Sequence, residues 1–418
     1  MTPEGKSQAY RATTVLLLLL VLLGIGLRSW GIAEPGFFTF DEENFARNAS
    51  HYLVGSADQN DHPPLGKLII SVGLLLFGND PLGWRFSSLW FGLHQVVIAY
   101  WLGSRLFESK RAGVMTAAFF AADGFFIAYS RCGLMDGILT CLVLWAMLAA
   151  VMARNVGQVL VSVLLCALAM SVKWSGAMAV IPAAGAILML GRAPKASVLA
   201  FALTPVLHVL VWMGGLRLTG QPADLLSFWK LATALFRHHV ELGTHDNALA
   251  SHWYSWLVLY HPIVVKLSSH GLGQRYASSA GNVILWASAT VLVLGAPVLA
   301  AVFAVRARFS PRLAIPVLLG ELIKPGLLLV LGWAAMLLPW MLWRGKYTFS
   351  YHYLPSYAFA LVLVGGVVAR IERRYPAETL ALVGLVALVS LYFAPVWCEV
   401  TLSDAAANHR LLFVPWRP

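Results

Sequence analysis

Six short stretches of this chain hold the side chains that could do chemistry. The first is Phe40-Asp41-Glu42-Glu43-Asn44-Phe45, with three carboxylates in a row. A carboxylate placed there can act as general base on an incoming hydroxyl. The same residues also suit the first turn of a helix, Asp41 as N-cap and Glu42 and Glu43 against the positive end of the helix dipole. Residue type alone favours the cap, and one carboxylate could do both. The second stretch is Asp61-His62-Pro63-Pro64-Leu65-Gly66-Lys67. Its prolines fix an extended turn and then admit a helix start. Lys67 would lie at the membrane surface, binding a lipid phosphate or reaching the headgroups.

The third stretch, Gly83-Trp84-Arg85-Phe86, pairs an Arg with a Trp, the usual composition of an interfacial anchor. The fourth runs from Ser130 to Gly137 and contains Arg131 and Asp136, which could pair with each other. Asp136 could equally cap the helix that follows. In the fifth, Lys173-Trp174 interrupts an apolar run, and a charge there needs a cavity or a partner. The sixth, Arg344 to Pro355, carries Arg344, Lys346 and His352. Its cations face outward against the usual bias, which suits an anionic ligand at that membrane face.

Histidines 238, 239, 245, 252, 261 and 270 gather in one segment, but their spacing matches no zinc pattern, so they read as solvent or core residues. The four cysteines form no CxxC pair. Cys141 and Cys166 fall in apolar runs and read as small core residues. Cys132 and Cys398 both belong to the outer side, where a bridge could join them.

These stretches need a scaffold, and composition says which kind. Of 418 residues, 59% are hydrophobic and 12% charged, with a mean hydropathy of +0.73. A soluble domain is about half apolar and about a quarter charged. Too few polar side chains remain here to face water all round, so lipid is the solvent for much of the surface. The net charge of +11 fits cytoplasmic loops better than nucleic acid, because no basic run with interleaved aromatics is present.

At roughly 20 apolar residues per span, helices are expected near 12–30, 86–104, 112–130, 136–153, 157–172, 176–190, 197–215, 282–304, 325–343, 353–369 and 378–396. The first follows Lys6 and Arg11 and precedes no small-residue cleavage pattern, so it reads as an uncleaved anchor. With the N-terminus inside, the basic clusters of the short loops fall on the cytoplasmic side: Arg105, Lys110 and Arg111; Arg154; Arg192 and Lys195; Arg306, Arg308 and Arg312; Arg370, Arg373 and Arg374. Eleven spans put the C-terminus outside. Two long outer segments follow, 31–85 and 217–281, both rich in aromatics and histidine. Within the first, Leu65 to Phe77 is too short to span and reads as an interfacial or re-entrant helix. Carboxylates and cations thus collect at one membrane face. A transporter would instead place polar residues on broken helices at mid-membrane.

The ordered strings Phe40-Asp41-Glu42 with Asn44-Phe45, His62-Pro63-Pro64-Leu65-Gly66-Lys67, Arg85, Ser130-Arg131 through Asp136, Val172-Lys173-Trp174-Ser175-Gly176, Trp253-Tyr254-Ser255-Trp256 and Tyr351-His352-Tyr353-Leu354-Pro355 resemble the protein O-mannosyltransferase family. They cover about residues 40 to 360. The resemblance implies an all-α membrane fold of the GT-C glycosyltransferase type, with about eleven transmembrane helices and a large first outer loop containing interfacial helices. It implies a glycosyltransferase domain over 1–360, with a catalytic loop at 31–85 and a second outer loop at 217–281. Residues 361–418 are then C-terminal helices and an outer tail. The implied donor is a polyprenyl-phosphate-linked mannose, and the acceptor is a Ser or Thr hydroxyl on an exported protein. Asp41 would be the catalytic base and Glu42 would position a substrate. Arg85, with Lys67, Arg131, Lys346 and His352, would serve the donor phosphate or substrate, and Asp136 would support the site. No metal or other cofactor is implied, and inversion at the anomeric carbon follows from a single displacement. The family commonly has His where Asn44 stands, and eukaryotic members carry an extra soluble domain that the second loop here lacks. That points to a bacterial-type member in a cytoplasmic membrane. A related transferase acting on a lipid or envelope glycan would share the same face and differ in its acceptor groove.

Overall fold

The computed structural model describes residues 2–56, 61–241, 249–260, 262–270, 273–309, 317–342 and 348–411. In chain order the elements are α1 (Pro3–Ser29), α2 (Glu42–Leu53), α3 (Leu65–Phe77), α4 (Pro81–Leu106), α5 (Lys110–Ala122), α6 (Gly124–Arg131), α7 (Met135–Met152), α8 (Val156–Val172), a 3-10 turn (Trp174–Ala179) running into α9 (Val180–Leu190), and a second 3-10 turn (Lys195–Leu203) running into α10 (Thr204–Leu218). The segment after α10 holds α11 (Leu225–Glu241), α12 (Trp253–Trp256), β1 (Val264–His270) and β2 (Gly273–Ser278). Then come α13 (Val283–Phe309), α14 (Val317–Leu342), a 3-10 turn (Ser350–Tyr353) entering α15 (Leu354–Glu372), α16 (Pro376–Trp397) and α17 (Asp404–Leu411).

The eleven apolar segments expected from sequence each coincide with a helix or helical pair. By length and hydropathy, seven helices among the described residues can cross a membrane: α1, α7, the Lys195–Leu218 unit, Val283–Val302 of α13, Glu321–Leu342 of α14, the Ser350–Glu372 unit and α16. The count is eight if α5 and α6, bent by 60° at their junction, form one span. The chain is a multi-pass membrane protein. Among the described residues its architecture is helical, with one departure: the segment between α12 and α13 contains a two-stranded antiparallel hairpin, β1 on β2.

Local signals explain the main boundaries. Asp80 caps α4 by accepting from Gly83 N at 2.9 Å, and Pro81 fits the first turn because it has no N–H to satisfy. Asp123 ends α5 and caps α6 by accepting from Phe125 N at 3.0 Å, which sets the bend. Lys173 is extended (φ −145°, ψ 142°), so α8 stops before the apolar run does.

α7 and α15 are buried along most of their length, whereas α1, α10 and α13 face largely outward, as lipid-exposed helices must. α1 reaches the α5–α6 bend because Gly24 has no side chain: a Cβ there would lie 2.1 Å from the Ala121 carbonyl oxygen. That approach lets buried Arg28 donate to Gly24, Phe120 and Ala121 carbonyls. α3 packs its Ile70 and Leu74 inward and leaves Leu75 and Leu76 exposed, consistent with a short helix lying at the membrane edge.

Candidate active site

The loop between α1 and α2 turns sharply at Phe40, whose φ is +54°, and α2 begins immediately after. Asp41 occupies the N-cap position, as its residue type suggested, yet its side chain makes no capping hydrogen bond. The backbone closes the turn instead: Thr39 C=O accepts from Glu42 N at 3.1 Å and Asp41 C=O from Asn44 N at 3.1 Å. The Asp41 carboxylate is half-buried. Burial raises its pKa above the ordinary 3.8; Lys173 opposes that rise, while Asp136 and Asp61 add to it.

Glu42 is fully buried. Its Oε1 accepts from Arg85 Nε at 2.8 Å and Gly133 N at 2.7 Å. Its Oε2 accepts from Arg85 Nη2 at 2.9 Å, Thr39 N at 2.7 Å and Thr39 Oγ1 at 2.8 Å. Arg85 is 1% exposed, so it is no interfacial anchor. Its remaining donors go to the carbonyls of Ile32, Pro35 and Phe37, each at 3.1 Å. The pair ties α2, the preceding loop, α4 and the α6–α7 turn into one unit.

On the other side of Asp41, Lys173 Nζ donates to Asp136 Oδ2 at 2.7 Å. The expected pairing of Asp136 with Arg131 is therefore not made, nor does Asp136 cap α7, whose N-cap is Leu134. The reason is the break at Lys173, which brings its ammonium over the start of α7. Arg131 is drawn elsewhere: it donates to the carbonyls of Leu27, Arg28, Trp30, Gly31 and Cys398 and so holds the outer end of α1. Lys173 also lies 5.1 Å from the ring centre of Tyr351 and 5.9 Å from that of Phe45, close enough for cation–π attraction.

Lys173 forms part of the wall of a cavity of about 240 Å³. Apart from Ser175, the other lining residues are aromatic, imidazole or apolar: His62, Trp174, Phe236, His239, Trp340 and His352 carry its character. His62 comes from the Pro-Pro turn, Trp174 from the helix break and His239 from α11. The rings of His62 and His239 are 5.3 Å apart. His352 stacks on Trp340 with centroids 3.7 Å apart, and its Nδ1 accepts from Phe349 N at 3.1 Å. Among the described residues no group of three or more His, Cys, Asp or Glu side chains is arranged to hold a metal ion.

The sequence-predicted residues thus divide. Lys173 pairs with Asp136 and acts electrostatically on Asp41, and His352 joins Lys173 at the cavity. Glu42 and Arg85 meet in a separate buried pair. Lys67 is 1% exposed, beneath α2 with its ammonium 5.7 Å from the Tyr52 ring centre, so it does not reach out to the headgroups. Lys346 and Arg344, with His245 and His261, lie outside the described residues. Cys132 and Cys398 are free thiols rather than a bridge; Cys398 Sγ donates to the Leu27 carbonyl at 3.3 Å.

Sequence reasoning flagged Lys173 as needing a partner but left it out of the site. It named His62, Trp174 and His239 without giving them a place in the site, and it did not single out Trp340. The signal for His239 was the amphipathic pattern of α11, where Phe228 and Leu235 turn inward and Trp229, Phe236 and Val240 outward. His238 at the same end accepts a contact from the first loop, 3.1 Å from Asp61 Oδ1.

Residues 225–416 match the family described as the C-terminal four TMM region of protein-O-mannosyltransferase. Residues 61–213 and 18–84 match two families described as dolichyl-phosphate-mannose-protein mannosyltransferase. The polyprenol-phosphate-mannose–protein mannosyltransferase of Mycobacterium tuberculosis is 28% identical over 149 residues, 34% of this chain. That alignment spans 28% of the relative's own length. In structure, the Saccharomyces cerevisiae Pmt1-Pmt2 protein O-mannosyltransferase complex bound to the sugar donor superposes with a TM-score of 0.79 at 13% identity, covering 97% of this chain and 92% of that one. ArnT from Cupriavidus metallidurans bound to undecaprenyl phosphate gives 0.59 at 12%, covering 98% and 78%. Both likenesses establish a shared fold, that of the GT-C glycosyltransferases.

Proposed function

The chain belongs to the protein O-mannosyltransferase family, and on that premise we propose that it transfers mannose from a polyprenyl-phosphate carrier to Ser or Thr hydroxyls of exported proteins. The observation that carries the reading is the freedom of Asp41: a half-buried carboxylate at a helix start, capping nothing, within electrostatic reach of a lysine that lines the cavity.

The acceptor oxygen attacks the anomeric carbon while Asp41 takes its proton. The carbon–oxygen bond to phosphate breaks on the opposite face, and the lipid phosphate departs as an anion. One displacement inverts the anomeric configuration. Lys173 and the imidazoles of His62, His239 and His352 are the groups placed to meet that charge, in a cavity whose apolar walls strengthen the attraction. Trp174 and Trp340 offer flat faces to a sugar ring. Glu42 and Arg85 fix the backbone that presents Asp41, so their part is positioning; Arg131 and Lys67 act in the same way, from the outer end of α1 and from beneath α2. Asp136 holds the Lys173 ammonium in place.

We further place the site on the outer face of a cytoplasmic membrane, with the N-terminus inside. Supporting this, Arg105, Arg111, Arg154, Arg192 and Arg370 sit at the helix ends opposite those that carry Asp41 and Arg85.

The test supplies purified protein in detergent with labelled polyprenyl-phosphate mannose and a Ser/Thr-rich peptide. Labelled peptide from wild type and none from a folded Asp41→Asn variant is the expected result. Donor consumption without peptide labelling would move the acceptor to a lipid or glycan. Equal labelling by Asp41→Asn would remove Asp41 as the base.

A further inference from the structure

A second, smaller cavity of about 50 Å³ lies behind the base-bearing loop, lined by Thr39, Phe40, Tyr129, Cys132, Trp397 and Glu399 among others. Glu399 follows the outer end of α16 and is held in the left-handed region at φ +58°, where a side chain other than glycine is uncommon. Its backbone carbonyl accepts from Arg275 Nε of β2 at 2.9 Å, which fixes this turn. The carboxylate is buried, and its Oε2 has no hydrogen-bond partner. Trp397 Nε1, in the same wall, is likewise buried and unpartnered. Glu399 Oε2 and Trp397 Nε1 are thus a buried acceptor and a buried donor on residues that line one small cavity, and unpartnered buried polar groups of this kind are the ones that retained water satisfies.

We propose that Glu399 is a positioning residue for the Thr39–Glu42 loop: protonated, it closes this cavity around bound water, and its ionisation loosens the loop that carries Asp41. The inference rests on the mannosyltransferase reading only for its effect on turnover. The charged and titratable groups around Glu399 come from every neighbouring element: Arg131 from α6, Arg85 from α4, Glu42 from α2, Arg275 from β2, and the Cys132 and Cys398 thiols. Burial raises the Glu399 pKa to about 7; Arg131 and Arg85 pull it down, Glu42 pushes it up and Arg275 pulls it down. The acid therefore exchanges its proton with water across neutral pH. Above that point a second carboxylate charge stands near Glu42, on the far side of Thr39.

Hydrogen exchange of the peptide covering residues 37–45, measured in the full-length protein in detergent and corrected for the intrinsic rate, reads the loop directly. Wild type should lose protection as pH rises toward neutral, by up to about tenfold per pH unit between the ordinary glutamate value of 4.5 and the folded value of about 7, and level off above it. Glu399→Gln, which imitates the protonated acid, should stay flat, and its kcat should exceed that of wild type at pH 8 with the donor KM unchanged. Should Glu399→Gln not fold, Trp397→Phe removes one donor from the cavity and should move the wild-type step to higher pH. A step that persists in Glu399→Gln, that is unmoved in Trp397→Phe, or that is missing from wild type would overturn the proposal. Absence of transfer to any acceptor would overturn the mannosyltransferase reading, while the exchange data would still decide the role of Glu399.

Discussion

Glu42 and Arg85 face each other in a two-point contact, Nε to Oε1 at 2.8 Å and Nη2 to Oε2 at 2.9 Å, with both side chains removed from solvent. Every donor of the guanidinium and both oxygens of the carboxylate are satisfied within the protein. The pair closes the base of the loop between α1 and α2.

Breaking that pair should cost the fold before it costs chemistry. Glu42→Gln or Arg85→Met leaves a buried charge uncompensated, at about 3–5 kcal/mol. The expected outcome is a large fall in the thermal unfolding temperature or in the yield of folded protein. A variant with near-native stability and lost transfer would instead put one of these residues in contact with substrate.

Asp41→Asn should behave in the opposite way. The carboxylate makes no cap bond, and its ionised form is disfavoured by burial. Transfer should fall by about 10²–10⁴, the usual range for losing a general base. Thermal stability at pH 7 should hold or rise slightly. A scanning melt beside a single-turnover assay separates the two effects.

The pH dependence of transfer follows from the same group. A base must be deprotonated to accept a proton, and the Asp41 pKa is raised above 3.8. Activity should therefore fall on acidification at a pH above the ordinary aspartate range. Between the ordinary value and the folded one, ionising Asp41 works against the fold, so stability declines as pH rises through that window. Asp41→Asn should abolish this slope. An acid limb of kcat/KM at or below 3.8 would contradict the assignment.

Lys173 and Asp136 should be separable by a double-mutant cycle. Lys173→Met alone strands the Asp136 carboxylate and should destabilise by about 3–5 kcal/mol. Adding Asp136→Asn should restore much of that stability but not transfer, because the ammonium that lines the cavity is gone. Recovery of transfer in the double variant would make the pair purely structural.

Trp340→Ala tests the cavity wall. Trp340 stacks on His352, and an aromatic contact is worth about 0.5–1.5 kcal/mol beyond its area. The KM for donor should rise several-fold with kcat less affected. A change confined to the peptide KM would assign this wall to the acceptor.

Composition and apolar run length determined the membrane class and the position of the long apolar helices, because a chain in lipid must satisfy its backbone within helices whatever its partners are. The order of motifs was enough to bring Asp41, Asp136 and His352 to attention as residue types. What the sequence could not decide was which charge meets which. Arg131 and Asp136 are five residues apart and looked like a pair, yet a break forty residues on delivers Lys173 to Asp136, while Arg131 turns to the end of α1. Adjacent Asp41 and Glu42 carry the same charge in one string, but successive positions at a helix start point in different directions. One carboxylate enters a saturated cluster and the other faces Lys173. The hairpin β1–β2 and the placing of α11 over the Pro-Pro turn were likewise hidden, since both depend on pairings that form only in the folded chain. Burial and pairing are properties of the assembled helices, and only the tertiary structure sets them.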